Sequence, residues 1–439
     1  MTNLQPYTKY YPVSYEYVQS LPDGWQLLPN IAVFRERKEK GTKNEELLSI
    51  VASRGVIKTS DYELKKDRST DDKSEYLLIK KGDLAYNTML TWIGAYGYSQ
   101  YQGIVSPAYT VLKPIISINP KFFHYQFRSD FYKHYSKRYA YGIMDVRLRL
   151  YYFHFKRMYS VVPPLEVQNS IVEYLDKKNS EIDKFIQNKE KLIALLEEQK
   201  TVIINQAIVK GLDENPKVKY SGFEWLGEVP KHWGIKKLRY LGKFQNGISA
   251  GAEYFGSGYP FVSYSDVYKN ITLPSLISDL ANSSKEDRIR YSVLEGDVFF
   301  TRTSETVEEI GFSSICETTI KDATFSGFLI RFRPFKNLLY KGYSKYYFRS
   351  SLHRRFFVKE MNLVTRASLS QDLLKNLPVI IPSYNEQKNI AKFLDVKMDD
   401  IDLIIVKIKK EIAAIKEYRE ALITDLVTGK RSIPQTQRS

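Results

Sequence analysis

Two stretches of the 439-residue sequence concentrate positive charge and aromatic rings in the same pattern. From Arg128 to Arg157, the basic residues Arg128, Lys133, Lys137, Arg138, Arg147, Arg149, Lys156 and Arg157 stand against only Asp130 and Asp145. Tyr132, Tyr135, Tyr139, Tyr141, Tyr151 and Tyr152 lie between them. From Lys345 to Lys375, the basic residues Lys345, Arg349, Arg354, Arg355, Lys359, Arg366 and Lys375 stand against Glu360 and Asp372. Cationic groups spread over a helix and the loop after it neutralise phosphates, while Arg, Asn, Gln and Ser side chains read base edges. Any single one of these residues is equally well part of a solvated helix face backed by core tyrosines. The pairing of the two patches points to DNA.

A second set of candidates follows each Gly-Asp turn. In the first half NTMLTWIGAYGYSQYQG offers Asn87, Thr88, Thr91 and Trp92; in the second TRTSETVEEIG offers Arg302, Thr303, Ser304 and Glu305. Unlike residues at equivalent positions are what two readers of different sequences would carry. The net charge of +16, the pI near 9.3 and an aromatic content of 14% suit a polyanion, although a ribosome or an acidic membrane would attract the same charge.

Catalytic constellations are missing from the sequence. It has no phosphate-binding Gly-x-x-x-x-Gly-Lys-Ser/Thr, no Gly-x-Gly-x-x-Gly, no His-Glu-x-x-His and no Gly-x-Ser-x-Gly. Asn119-Pro120 and Pro382-Ser383-Tyr384 do not complete an amino-methyltransferase signature, and the five histidines lack metal-ligand spacing. The single cysteine, Cys316, excludes a disulfide framework and reads as a small buried hydrophobe. The N-terminus has no apolar segment of secretory length, and no run approaches the ~18 apolar residues of a membrane span, so a cytoplasmic protein without membrane attachment is expected.

The elements that position the candidates come in duplicate. SYEYVQSLPDGW, ending at Trp25, recurs as GFEWLGEVPKHW, ending at Trp233, at an offset of 208. KKGDLAYNT matches LEGDVFFTR at 214, SPAYTVLKP matches SGFLIRFRP at 220, and Phe127-Arg128-Ser129 matches Phe348-Arg349-Ser350 at 221. Each half reads as alternating strands with Gly-Asp turns and short helices before a last apolar strand. A long helix then follows, with Gln168, Ile171, Leu175, Asp176, Ile182 and Asp183 recurring as Gln387, Ile390, Leu394, Asp395, Ile401 and Asp402 at an offset of 219.

Leu175, Ile182, Leu196 and Ile203, and likewise Leu394, Ile401, Ile408, Ile415 and Leu422, keep a seven-residue period, which is a coiled-coil seam. Asn179, Lys189 and Lys200 interrupt the first seam, and Gly211 and Gly429 mark the helix ends. The expected fold class is therefore α+β. Two similar globular domains of mixed β-sheet with helices are separated by two long antiparallel helices forming a coiled coil, an internal pseudo-twofold repeat. The expected boundaries are 1–162 and 213–381 for the globules, 163–212 and 382–430 for the helices, and 431–439 for a tail.

Two basic globules of one design, each followed by a helix opening with Pro-x-x-x-x-Gln, resemble the specificity subunit of type I restriction-modification systems. The marks are PPLEVQNSIVEYLDKKNSEID and PSYNEQKNIAKFLDVKMDDID, the helix ends VIINQAIVKG and LITDLVTGK, and the linker YSGFEWLGEVPKHW. The resemblance implies target recognition domains that each read one half of a bipartite sequence in double-stranded DNA, with the helices as conserved spacers setting the gap.

It further implies a non-catalytic subunit without a cofactor of its own. That subunit docks two adenine-N6 methyltransferase (M) subunits, which use S-adenosylmethionine, and two restriction (R) subunits, which use ATP and Mg. DNA contacts are then expected from Asn87, Thr88, Thr91, Trp92, Lys137, Arg138, Tyr139, Tyr141, Arg147 and Arg149. In the second half they are expected from Arg302, Thr303, Ser304, Arg354, Arg355, Lys359, Arg366 and Ser368. The first half departs from the second at this junction, with MDVRLRLYYF where the second has TRASLSQDLL. Two alternatives stay open: a stand-alone DNA adenine methyltransferase, which would bind S-adenosylmethionine by itself, and a charge-driven nucleic-acid-binding adaptor, which would not prefer a split duplex sequence.

Overall fold

Gly82-Asp83 and Gly296-Asp297 show why the central strands begin where they do. Both glycines hold positive φ, +91° and +86°, with open space where a Cβ would stand, so backbone conformation alone demands glycine. The aspartates close the turns: Asp83 Oδ2 accepts from the Lys80 N–H at 2.9 Å, and Asp297 Oδ2 from the Leu294 N–H at 2.8 Å. Each buried carboxylate is then gripped by a guanidinium fork. Arg37 donates to Asp83 through Nε (2.7 Å) and Nη2 (3.1 Å), and Arg333 to Asp297 through Nε (2.6 Å) and Nη2 (2.7 Å). The hydrogen bond to Asp83 holds the Arg37 guanidinium above its ordinary pKa.

The computed structural model describes residues 4–15, 18–42, 44–62, 72–142, 148–304, 310–360 and 367–433, with the backbone alone at 14, 304, 354, 358–360, 367 and 368. The chain divides into two compact units, one of Met1–Lys189 with Lys409–Ser439, the other of Glu190–Ile408.

In the first unit, strands β1 (Phe34–Glu36), β2 (Leu84–Asn87), β3 (Tyr96–Tyr98) and β4 (Tyr109–Pro114) form an antiparallel sheet in the order β1-β4-β2-β3. Helix α1 (Pro120–Arg128) starts where the Asn119 side chain accepts from the Lys121 N–H (3.0 Å), with proline at the first helical position. Ser129, in extended conformation, separates it from α2 (Asp130–Tyr139). The core beneath is largely aromatic, with Phe34, Phe122, Phe123, Phe127, Tyr132 and Phe155 all fully enclosed.

The second unit repeats the plan. Strands β5 (Gly242–Asn246), β6 (Val298–Thr301), β7 (Ser313–Ile315) and β8 (Leu329–Pro334) pair in the order β5-β8-β6-β7. A parallel pairing of Phe255–Val262 with Thr324–Phe325 makes its β-structure mixed. Cys316 is fully buried there, and burial pushes its thiol up to about 12.

Two helices, α3 (Leu165–Lys210, 46 residues) and α6 (Tyr384–Val427, 44 residues), carry the heptad seams. The Pro-x-x-x-x-Gln element is a latch. Gln168 Nε2 donates to the Pro163 carbonyl (2.8 Å) while its Oε1 accepts from the Asn119 N–H (2.8 Å), tying the start of the long helix to the start of α1. In the second unit Gln387 Nε2 donates to Pro382 O and Leu338 O (3.0 Å each) and its Oε1 accepts from the Tyr340 N–H (2.7 Å). A carboxylate two turns further on adds a second tie. Asp176 accepts from Lys121 (2.6 Å) and the Tyr125 hydroxyl (2.5 Å), and Asp395 from Lys345 (2.6 Å) and the Tyr346 hydroxyl (2.7 Å).

Within the first unit α3 runs antiparallel to the end of α6, with Asp183 meeting Arg419 (2.5 Å) and Lys189 meeting Glu411 (2.7 Å). Leu175 and Ile182 are buried, as are Leu422 and Leu426. Within the second unit Lys200 meets Asp402 at 2.6 Å, and Leu394, Ile401, Ile405 and Ile408 are buried. The polar interruptions of the seam thus have partners: Lys189 and Lys200 reach carboxylates, and Asn179 donates to Tyr125 (3.3 Å).

Each helix ends on a glycine of positive φ seated against a tryptophan. Gly211 (+78°) abuts Trp233 in the second unit, and Gly429 (+75°) abuts Trp25 in the first. No helix among the described residues is long and apolar enough to cross a membrane.

Candidate nucleic-acid interface

The turn after β2 packs most of its polar residues inward. Asn87 Oδ1 accepts from the Met89 N–H (3.0 Å), Thr88 Oγ1 donates to the Ala108 carbonyl (2.9 Å), and Thr91 is fully enclosed. As placed, these three shape the turn. The side chains it exposes are the apolar Met89, Leu90 and Ile93, with Trp92 half-buried beside them. The Trp92 indole donates to the Met89 carbonyl (3.1 Å), and the Lys137 ammonium lies over its ring at 5.8 Å. The turn and the end of α2 therefore share one edge.

The same edge takes up the segment before the last strand. Tyr141, 74% exposed, exchanges two backbone hydrogen bonds of 2.9 Å with Arg149, and the Leu150 N–H donates to the Thr88 carbonyl at 2.8 Å. Lys137, Arg138 and Arg149 have exposed side chains, and Tyr139 packs edge-on against Tyr135. Arg147 lies outside the described residues.

In the second unit the Leu369 N–H donates to the Arg302 carbonyl at 2.7 Å, the counterpart of the Leu150 to Thr88 bond. The pairing continues as a two-stranded ladder, Thr303 with Ser368 and Ser304 with Ala367. Candidates some 65 positions apart in sequence are therefore neighbours. Arg302 is half-buried, with Nη1 fixed on the Gly327 carbonyl (2.9 Å), while Thr303 is exposed. Arg355 is exposed on α5 (Leu352–Glu360), along which Arg354 and Lys359 are placed by their backbone alone. Arg366 and Glu305 lie outside the described residues.

Part of the positive charge counted in the two stretches is not interface. Arg128 turns inward, donating to the Ala52 carbonyl (2.7 Å) and sharing a 2.6 Å hydrogen bond with His124, and burial lowers its pKa. Arg349 braces the carbonyls of Val267 (3.3 Å), Ser313 (3.1 Å) and Tyr268 (2.9 Å) and lies 4.3 Å from the Phe312 ring. The repeated Phe-Arg-Ser therefore braces the globules from inside, as buried charges must find partners. Lys133 and Lys345 are likewise held by Asp130 and Asp395. The residues that the sequence left unmarked, Met89, Leu90 and Ile93, carry no charge or hydrogen-bonding group to signal them. No cluster of three or more His, Cys, Asp or Glu suited to a metal ion occurs among the described residues.

Residues 230–414 match the family described as the type I restriction modification DNA specificity domain. The chain is 28% identical over 208 residues to a putative type I restriction enzyme MjaX specificity subunit of Methanocaldococcus jannaschii, covering 46% of this chain and 47% of that protein. It is 24% identical over 277 residues to the EcoKI specificity subunit of Escherichia coli K12, covering 61% of this chain and 57% of that one. The match thus spans about half the length of these relatives.

Among solved structures, the fold is shared with a chain from a study of complex assembly and conformational transition of the type I R-M system. There the TM-score is 0.70 at 15% identity, covering 93% of this chain and 98% of that one. It is also shared with the HsdS subunit of Thermoanaerobacter tengcongensis, with a TM-score of 0.55 at 16% identity, covering 95% and 99%.

Proposed function

We propose that the chain is a specificity subunit of a type I restriction-modification system and the non-catalytic DNA reader of such a complex. Each unit reads one half of a bipartite target in the duplex. The observation that carries this is the duplicated edge, in which the turn after the central strand and the segment before the last strand are joined by one equivalent hydrogen bond, Leu150 to Thr88 and Leu369 to Arg302. The two edges differ in chemistry, apolar with Lys137 in one and Arg302 with Thr303 in the other, as readers of different half-sites should.

In this reading α3 and α6 set the gap between half-sites and dock the M subunits, through which the R subunits join. Supporting the docking, Leu195 and Val202 of α3 and Phe393, Val396, Leu403 and Ile404 of α6 are exposed in the second unit, more apolar surface than a helix facing water alone carries. S-adenosylmethionine, ATP and Mg belong to those partners, and this subunit takes no cofactor.

The test is methylation sequencing of the host genome with the gene present and deleted. The expected result is loss of methyladenine from one bipartite motif on deletion. An unchanged methylome, with the M and R subunits shown to be expressed, refutes the reading.

A further inference from the structure

Beside the reading edge of the second unit lies a cavity of about 460 Å³, within the size range of small-ligand sites. Its walls are aromatic: Phe255, Phe261, Tyr264 and Phe328 line it. Phe261 is buried while Phe255 and Phe328 are 38% and 62% exposed, so the rings run from floor to rim. Leaving a phenylalanine such as Phe328 in water is unfavourable unless something covers it. Ser278 and Asp279 supply polar groups, and the exposed Asp279 carboxylate has no hydrogen-bond or ion-pair partner among the described residues.

The cavity is wired to the edge at two points. The Tyr264 hydroxyl donates to the Thr303 carbonyl (2.9 Å), and Arg302 grips the carbonyl of Gly327, the residue between the lining residues Ser326 and Phe328.

We propose that this cavity is a nucleobase site, taking a base whose edge presents adjacent N–H donors, guanine best of all. Aromatic walls stack on the flat face of any base. A carboxylate selects among bases, because it accepts only: guanine offers a ring N–H and an amino group side by side, whereas the single ring N–H of thymine is flanked by two carbonyl oxygens that repel it. The Arg302 guanidinium, beside the wall, suits the phosphate that accompanies the base.

The shared chemistry has two sources, a free nucleotide or an unpaired base of a strand. The second rests on the DNA-reading assignment above. Both are tested on the full-length chain. In one arm GMP and TMP are titrated calorimetrically. In the other, a duplex with one guanine opposite an abasic site is compared with its fully paired counterpart. The expected result is roughly tenfold tighter binding of GMP than TMP or of the unpaired-guanine duplex than the paired one, erased by Asp279→Asn and weakened on the order of tenfold by Phe328→Ala.

Preference in the nucleotide arm alone names a free ligand, and preference in the duplex arm alone names the strand. No preference in either arm overturns the proposal. Because both substituted side chains are exposed, the variants should fold. Binding of a paired duplex carrying the genomically mapped motif then shows separately whether DNA reading itself stands.

Discussion

If the Pro-x-x-x-x-Gln element is a latch, Gln168→Ala should destabilise the first unit by an amount that can be counted. Gln168 is 1% exposed and makes two hydrogen bonds of 2.8 Å, one to the Asn119 N–H and one to the Pro163 carbonyl. Truncation leaves both backbone groups without that partner. The half-buried Asn119 N–H can recruit water, whereas the Pro163 carbonyl sits deeper, so the loss should total about 2–4 kcal/mol.

For a unit of this size each kcal/mol moves the melting point by about 2–4 °C, so the first unit's transition should fall by roughly 5–15 °C in calorimetry. Hydrogen exchange should show where: amides at the start of α1 lose protection in Gln168→Ala, and those at the start of α4 (Lys341–Arg349) lose it in Gln387→Ala, with no crossing over. Gln168→Glu should cost at least as much as the alanine, since it keeps the acceptor but sets a buried, unpaired carboxylate against the Pro163 carbonyl. A shift below about 0.5 kcal/mol in both alanine variants would refute the latch and reassign these glutamines to contacts made outside the chain.

Asp83→Asn should cost about 3–5 kcal/mol in urea unfolding, because Arg37 is only 6% exposed and keeps its charge, while Asp297→Asn should cost less since Arg333 is 30% exposed; equal costs would contradict the burial argument. Glu386 titrates near 2 despite partial burial, which alone would raise it, because Ser383, His232 and Trp233 donate to its carboxylate. Its folded pKa lies below the ordinary value of 4.5, so its contribution is present above that value and fades as pH falls towards 2. With its side chain 35% exposed, this amounts to on the order of 1 kcal/mol, and the second unit of Glu386→Gln should lose less stability than the parent between about pH 5 and 2. Arg138→Ala and Arg355→Ala, at exposed positions, should each flatten the salt dependence of DNA binding by about 0.9 in log–log slope without changing the preferred sequence, measured by titration at several salt concentrations.

The duplication was legible because period and spacing survive divergence: the seams, the Gly-Asp turns and the terminal glycines each recur with their neighbours. Side-chain direction was not. Arg128 and Arg349 look like members of basic patches by type, yet their position after a buried phenylalanine turns them onto carbonyls inside the globule. Asn87, Thr88 and Thr91 look like polar readers, yet a tight turn uses its own polar groups first. The Arg–Asp fork shows a further limit. Arg37 occupies the position equivalent to Gln245 and Arg333 the one equivalent to Lys113, so the same grip is made from different strands, and no alignment of the halves finds it.

The seat of Gly429 against Trp25 has a consequence for synthesis on the ribosome. The first unit cannot complete its core until Leu422, Ile423, Leu426 and Val427 emerge, whereas the second unit is one continuous stretch, Glu190–Ile408. At about 5–20 residues per second, the interval between Lys189 and Val427 is roughly 10–50 s. For that time the earlier-made globule waits with an open apolar seat while its later twin closes, so nascent-chain chaperones should engage the first half longer than the second.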